Sequence, residues 1–136
     1  PEAALVIGHE GALTDSFRAT VRDAALEKRV RFIGTMPEPD LAPLLRGATA
    51  YITASQAAGT SVTLLQAMAC GAPVLTSDNS CLPEAGGPGA IYVRAEDADS
   101  IAGGIVRLAT DAALAAQLAA AGAGGRARRR GRRSGA

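Results

Sequence analysis

The run Gly59-Thr60-Ser61-Val62-Thr63-Leu64-Leu65-Gln66-Ala67-Met68-Ala69-Cys70-Gly71-Ala72-Pro73-Val74 constrains the fold more than any other stretch of the chain. A glycine and two hydroxyl residues lead into an apolar helical run. Gly71 stops that helix, and Pro73 opens an apolar strand. The predicted unit is a strand, a loop, a helix capped by Thr60 or Ser61, and a second strand. Its helix begins with amide N–H groups that have no intrahelical partner, at the end of the dipole that favours an anion.

The flanking segments repeat the alternation. Leu5-Val6-Ile7 is a short apolar run closed by Gly8, and Leu13, Phe17, Val21 and Ala24 mark an amphipathic helix over 12–26. Val30 to Gly34 predicts a second strand, Pro37 and Pro39 bracket a loop, and Asp40 to Arg46 predicts a short helix. Tyr51-Ile52-Thr53, Val74-Leu75-Thr76 and Ile91-Tyr92-Val93 are strand candidates. Two helices follow over 99–110, with Ile101, Ile105, Val106 and Leu108 inward, and over 111–121. Apolar strands alternating with helices predict an α/β fold, doubly wound around a mostly parallel sheet. Ligands of such sheets bind beyond the carboxyl ends of the strands, where the loop from Thr53 to Ser61 lies. A phosphate held by the amides of Thr60, Ser61 and Val62 is the leading reading, and the alternative is that Gly59 and Thr60 merely turn the chain and cap a helix.

Composition limits the rest. With 48% apolar residues among 136, one core and one domain are expected, built from small aliphatic side chains because only 3% are aromatic. Cys70 and Cys81 lack metal or redox spacing and are expected as reduced, partly buried thiols, so no metal or cofactor is predicted and a cytoplasmic location is. No apolar run nears the roughly 20 residues of a membrane span. Six arginines lie between Gly125 and Ala136, and eight basic residues remain elsewhere against thirteen acids. A body near −5 over 1–122 is thus joined to a Gly/Ala/Arg-rich tail of +6 over 123–136. That tail is expected to be disordered, with anionic surfaces, a membrane among them, as partners it suits.

Arg29-Val30-Arg31-Phe32-Ile33-Gly34 with its Pro-containing loop, Ser55, the run from Gly59 to Val74, and Leu82-Pro83-Glu84 together resemble the group 1 (family 4) glycosyltransferases of the GT-B fold, over residues 4 to about 121. The resemblance implies the nucleotide-sugar-binding C-terminal domain of an enzyme that transfers a sugar, with retention, from a nucleotide diphosphate sugar to an acceptor hydroxyl. The acceptor binds to an N-terminal domain that this chain lacks, as it lacks the first strand and helix of the C-terminal domain, so the chain alone is not expected to turn over. The family pattern places one glutamate in the loop, on the donor sugar, and another eight residues on, on the ribose. Here those positions are Ala58 and Gln66. Gln66 keeps one carbonyl acceptor, with a bond roughly half as strong as that of a carboxylate. Ala58 keeps none, and no catalytic residue is assigned. The family also implies that the backbone at Thr35 and Met36 lies against the nucleobase. The nucleotide-sugar set is then Gly59, Thr60, Ser61, Val62, Gln66, Thr35 and Met36. His9, the single histidine, is an ordinary loop residue on this reading, Glu84 opens a short helix, and Met68 and Cys70 belong to the core. The runner-up function is a non-catalytic nucleotide-binding or interaction module on the same fold.

Overall fold

The computed structural model describes residues 3–8, 14–55 and 62–133, with side chains to 125. Where one domain was expected, the chain divides into two compact units, Pro1–Leu41 and Ala42–Ala136.

In the first unit β1 (Leu5–Ile7) pairs in parallel with β2 (Val30–Phe32), with Leu5 opposite Val30 and Ile7 opposite Phe32. Between them α1 (Asp15–Asp23) starts where the Thr14 hydroxyl accepts the Phe17 N–H at 3.3 Å. Phe17 meets Phe32 edge to face, with centroids 5.5 Å apart. The helix ends in a Schellman motif: the Leu26 N–H donates to the Val21 carbonyl and the Ala25 N–H to that of Arg22, both at 2.9 Å. Ala25 therefore sits at φ 54°, a left-handed position that costs an L-residue about 1 kcal/mol or more. Ala25→Gly is expected to raise stability by about 1 kcal/mol in urea unfolding, and an unchanged midpoint would refute the strain.

α2 (Glu38–Gly47) begins two residues earlier than expected and takes Pro39 into its first turn, where a missing N–H costs nothing. The second unit then holds β3 (Tyr51–Thr53), α3 (Val62–Ala69), β4 (Val74–Ser77), α4 (Leu82–Gly86), a short 3₁₀ turn (Gly87–Gly89), β5 (Ala90–Val93), α5 (Ala98–Thr110) and α6 (Ala112–Arg133). Its sheet runs in the order β3-β4-β5, all parallel, with Thr53, Thr76 and Tyr92 in one register row. α3 stops where predicted, with Gly71 at φ 76°.

One sheet face packs Leu75, Ile91 and Val93, with Ile52 alongside, against Leu108 of α5 and Leu118 of α6. Here the expected inner side of α5 needs correction. Leu108 is buried and Ile101 half-buried, but Ile105 and Val106 are 38% and 58% exposed. The inward stripe runs through Gly104 instead, where an added Cβ would lie 2.4 Å from Leu75 Cδ1. A glycine is invisible to a count of apolar residues, yet it lets the helix backbone approach the strands.

Helix α6 also departs from expectation. It passes Ala121, its predicted end, and continues to Arg133 through the segment expected to be disordered. Alanine and arginine are good helix formers, and a helix docked through Leu118 and Gly122 already supplies the nucleus, so each further residue only propagates it. Among the described residues no single helix is long and apolar enough to cross a membrane; α5 and α6 qualify by length and composition only as a pair, bent by 98°.

Candidate functional site

Parallel pairing brings the carboxyl ends of β3, β4 and β5 to one rim, and α3, α4 and α5 begin there. These three helix starts differ. Asp97 already caps α5, its carboxylate accepting the Ser100 N–H at 3.1 Å. α4 is only five residues long, with Glu84 exposed in its first turn, as expected of a helix-opening acid. α3 carries no acid in its first turn, and its first residue, Val62, is 58% exposed.

A cleft of about 400 Å³ runs along the same rim, lined by Asp78, Asn79, Arg94, Ala95, Glu96 and Asp97. Its one guanidinium is engaged by Asp97 at 2.8 Å, leaving two further carboxylates facing the space. Such a lining repels a diphosphate. Of the three helix starts on this rim, only that of α3 has no acid in its described first turn.

Of the expected site residues, Val62 and Gln66 stand four apart on α3 and so share one side of the helix, Val62 exposed and Gln66 half-buried. Gly59, Thr60 and Ser61 lie outside the described residues, as do Ala58 and His9. Thr35 and Met36 follow Gly34, which is at φ 62°, in the first unit; Thr35 is exposed and Met36 half-buried. Met68 is buried in the core as expected, and Cys70 is half-buried. Among the described residues no group of three or more His, Cys, Asp or Glu is placed to hold a metal ion.

Two side chains near the site, Ser77 and Tyr51, carried no sequence signal. Ser77, fully buried at the end of β4, donates its hydroxyl to the Ser55 carbonyl at 2.7 Å. Because Ile52 faces α5 and α6, strand alternation turns Tyr51 and Thr53 to the other face of the sheet. There the Tyr51 hydroxyl hydrogen-bonds Thr53 and Thr63, the latter in the first turn of α3. Burial pushes the Tyr51 phenol above its ordinary pKa of 10.0, against those two bonds, and burial does the same to Tyr92. A raised folded pKa means stability fully present below pH 10 and lost as pH rises through the folded values. Urea midpoints are accordingly expected to fall as pH rises above 10, and Tyr51→Phe to flatten that fall; an equal fall in the variant would contradict the assignment.

The profile of the family described as Glycosyl transferases group 1 matches residues 2–111, most of the chain. The chain belongs to this family. The chain is similar to the O-antigen chain mannosyltransferase B of Escherichia coli, 29% identical over 107 residues, covering 79% of this chain and 28% of the relative. Among solved structures, the sucrose-phosphate synthase of Thermosynechococcus elongatus superposes with a TM-score of 0.77 at 27% identity, over 90% of this chain and 32% of that one. Anabaena HepE in complex with UDP gives 0.81 at 18% identity, over 91% and 36%, a likeness of fold. The chain thus spans about a third of the length of these proteins. The α/β architecture with parallel sheets expected from the sequence is the Rossmann-like form seen in these GT-B glycosyltransferases.

Proposed function

We propose that this group 1 glycosyltransferase chain binds a nucleotide diphosphate sugar at the start of α3 and presents it for retaining transfer to an acceptor hydroxyl. The amides of Gly59, Thr60, Ser61 and Val62 take the diphosphate, and the Gln66 side-chain amide takes a ribose hydroxyl. The acceptor, a glycan, lipid or small molecule, is bound by an N-terminal acceptor-binding domain. The observation that carries this reading is the shared face of Val62 and Gln66, at the acid-free helix start of the rim and within the family match. Other support is that HepE, with the same fold, was solved with UDP and with UDP-glucose.

The residues of the chain divide the work by chemistry. Backbone donors do not depend on side-chain identity, so such a cradle tolerates side-chain change. The sugar end is different. With Ala58 in place of a carboxylate, a contact worth about 1.5–3 kcal/mol is absent. This specific loss favours a second reading, a nucleotide-binding module on the same fold that does not transfer sugar.

Both readings require nucleotide binding. In a thermal melt, whichever of UDP, GDP and ADP fits is expected to raise Tm by about 8 °C at 100 times its Kd, from about 2.7 kcal/mol of added stability. No shift with any of the three, at millimolar concentration, would exclude both.

A further inference from the structure

Six of the eight residues from Arg126 to Arg133 are arginines, and the helix that carries them holds no acid along its 22 residues. Packing of α6 on the body is last seen at Gly122, buried as Leu118 is one turn before it. Ala123, Gly124 and Gly125 are all exposed. Three successive residues step through the whole circumference of a helix, so α6 stands clear of the body there. At about 100° per residue the six arginine positions that follow fall within roughly 200° of the circumference, and Ala127 and Gly131 occupy the rest. We infer that this end of α6 is a docking surface for an anionic lipid bilayer, which it meets through the headgroup phosphates.

This does not depend on the nucleotide reading. Charge and composition decide the partner. Arginines three and four apart, Arg126 with Arg129 and Arg130 or Arg129 with Arg133, repel one another along a helix, and a surface of opposite charge removes that repulsion. A guanidinium stays charged and pairs with a phosphate through two parallel N–H bonds. Because the arginine positions share one side of the helix, they suit a plane; a nucleic-acid groove that admits a helix would meet the bare side at Ala127 and Gly131 as well. Apart from its arginines the segment from Ala123 to Arg133 has nothing larger than alanine, so it has no side chain to insert among acyl chains, and its adsorption is electrostatic and reversed by salt. The acids of the body do not cancel this charge. The helix after Gly122 runs on for about 16 Å, roughly twice the screening length at physiological salt.

The test is flotation of the 136-residue chain with vesicles of phosphatidylcholine alone and of phosphatidylcholine with about one third phosphatidylglycerol, in about 0.05 and about 0.5 M salt. One variant carries Arg126→Gln, Arg128→Gln, Arg129→Gln, Arg130→Gln, Arg132→Gln and Arg133→Gln, a second has Arg→Lys at the same positions, and urea midpoints check that both fold. The unmodified chain is expected to float with the phosphatidylglycerol vesicles, in low salt only. The glutamine variant should bind them about a hundredfold more weakly, and the lysine variant within about fivefold of the unmodified chain. No binding by the unmodified chain, equal binding by the glutamine variant, or loss of binding in the lysine variant would overturn the inference. So would tighter binding to a DNA duplex than to the vesicles at equal phosphate concentration.

Discussion

Gly89→Ala is expected to destabilise the chain by about 3 kcal/mol, measured by urea unfolding at neutral pH. A Cβ on Gly89 would stand 2.6 Å from the Cα and 2.7 Å from the backbone nitrogen of Gly122, and 2.7 Å from Met68 Cε. The Met68 terminus is flexible and can swing away. The α6 backbone cannot, because Leu118 one turn earlier is 7% exposed in the core, and shifting the helix opens that packing. Native domains are stable by only about 5–15 kcal/mol, so this single methyl removes a large share. The reciprocal change separates backbone crowding from generic loss of glycine. At Gly122 the nearest atom to an added Cβ is Met68 Cε at 3.1 Å, and alanine improves helix propensity by about 1 kcal/mol, so Gly122→Ala should lie near neutral. A loss below about 0.5 kcal/mol in Gly89→Ala would contradict the close crossing of α6 over the Gly87–Gly89 turn.

The second large effect is at Leu75, fully buried in the middle of β4 between its sheet neighbours and α5. Leu75→Ala is expected to cost about 3–4 kcal/mol, the lost transfer energy plus the cavity that α5 cannot close. Its partner is the glycine facing it. Gly104→Ala alone places a methyl 2.4 Å from Leu75 Cδ1 and 3.1 Å from Val93 Cγ1, an overpacking whose cost of about 1–3 kcal/mol is partly offset by the helix propensity of alanine. In the double variant the new methyl enters the space that the leucine vacated. The two changes should therefore be non-additive by 1 kcal/mol or more, with the double variant more stable than Leu75→Ala alone. Simple additivity in denaturant melts would mean that α5 does not lie on Leu75 through Gly104.

Those two contacts also mark where the sequence was silent. Gly71 announces the end of α3 because a helix ending in a left-handed residue favours glycine there. The strands at Tyr51, Val74 and Ile91 and the helices between them were legible because β-branched runs and apolar periodicity report burial of side chains. Gly89 and Gly104 have no side chain to report, so the approach of α6 to the turn and of α5 to the sheet could not be read, and Ile105 and Val106 were assigned to the wrong side of α5. Pro39 was read as a loop residue although a proline suits the first turn of a helix as well. The continuation of α6 to Arg133 was missed because the composition of its end was weighed without the docked half that nucleates it.

The candidate site was legible in a different measure. The helix start could be placed because a glycine, two hydroxyl residues and an apolar run make a local signature, while Gln66, half-buried one turn after Val62, was singled out only through the family resemblance. Ser77 and Tyr51 could not. Each is an ordinary strand residue by type, and only the parallel register of β3 with β4 brings one to Ser55 and alternation turns the other toward Thr63. The acid-lined cleft beside Arg94 was likewise hidden, since its carboxylates come from two loops that meet only when β4 and β5 pair.

The most direct measurement is an amide ¹H–¹⁵N titration of the chain with UDP, GDP and ADP, each compared with its nucleoside. The account predicts that a diphosphate shifts the amides of residues 59 to 63 first and most, that the Gln66 side-chain amide follows, and that the nucleoside alone leaves residues 59 to 61 nearly unmoved. Shifts centred on residues 78–79 and 94–97, or none on adding any of the three diphosphates, would contradict it.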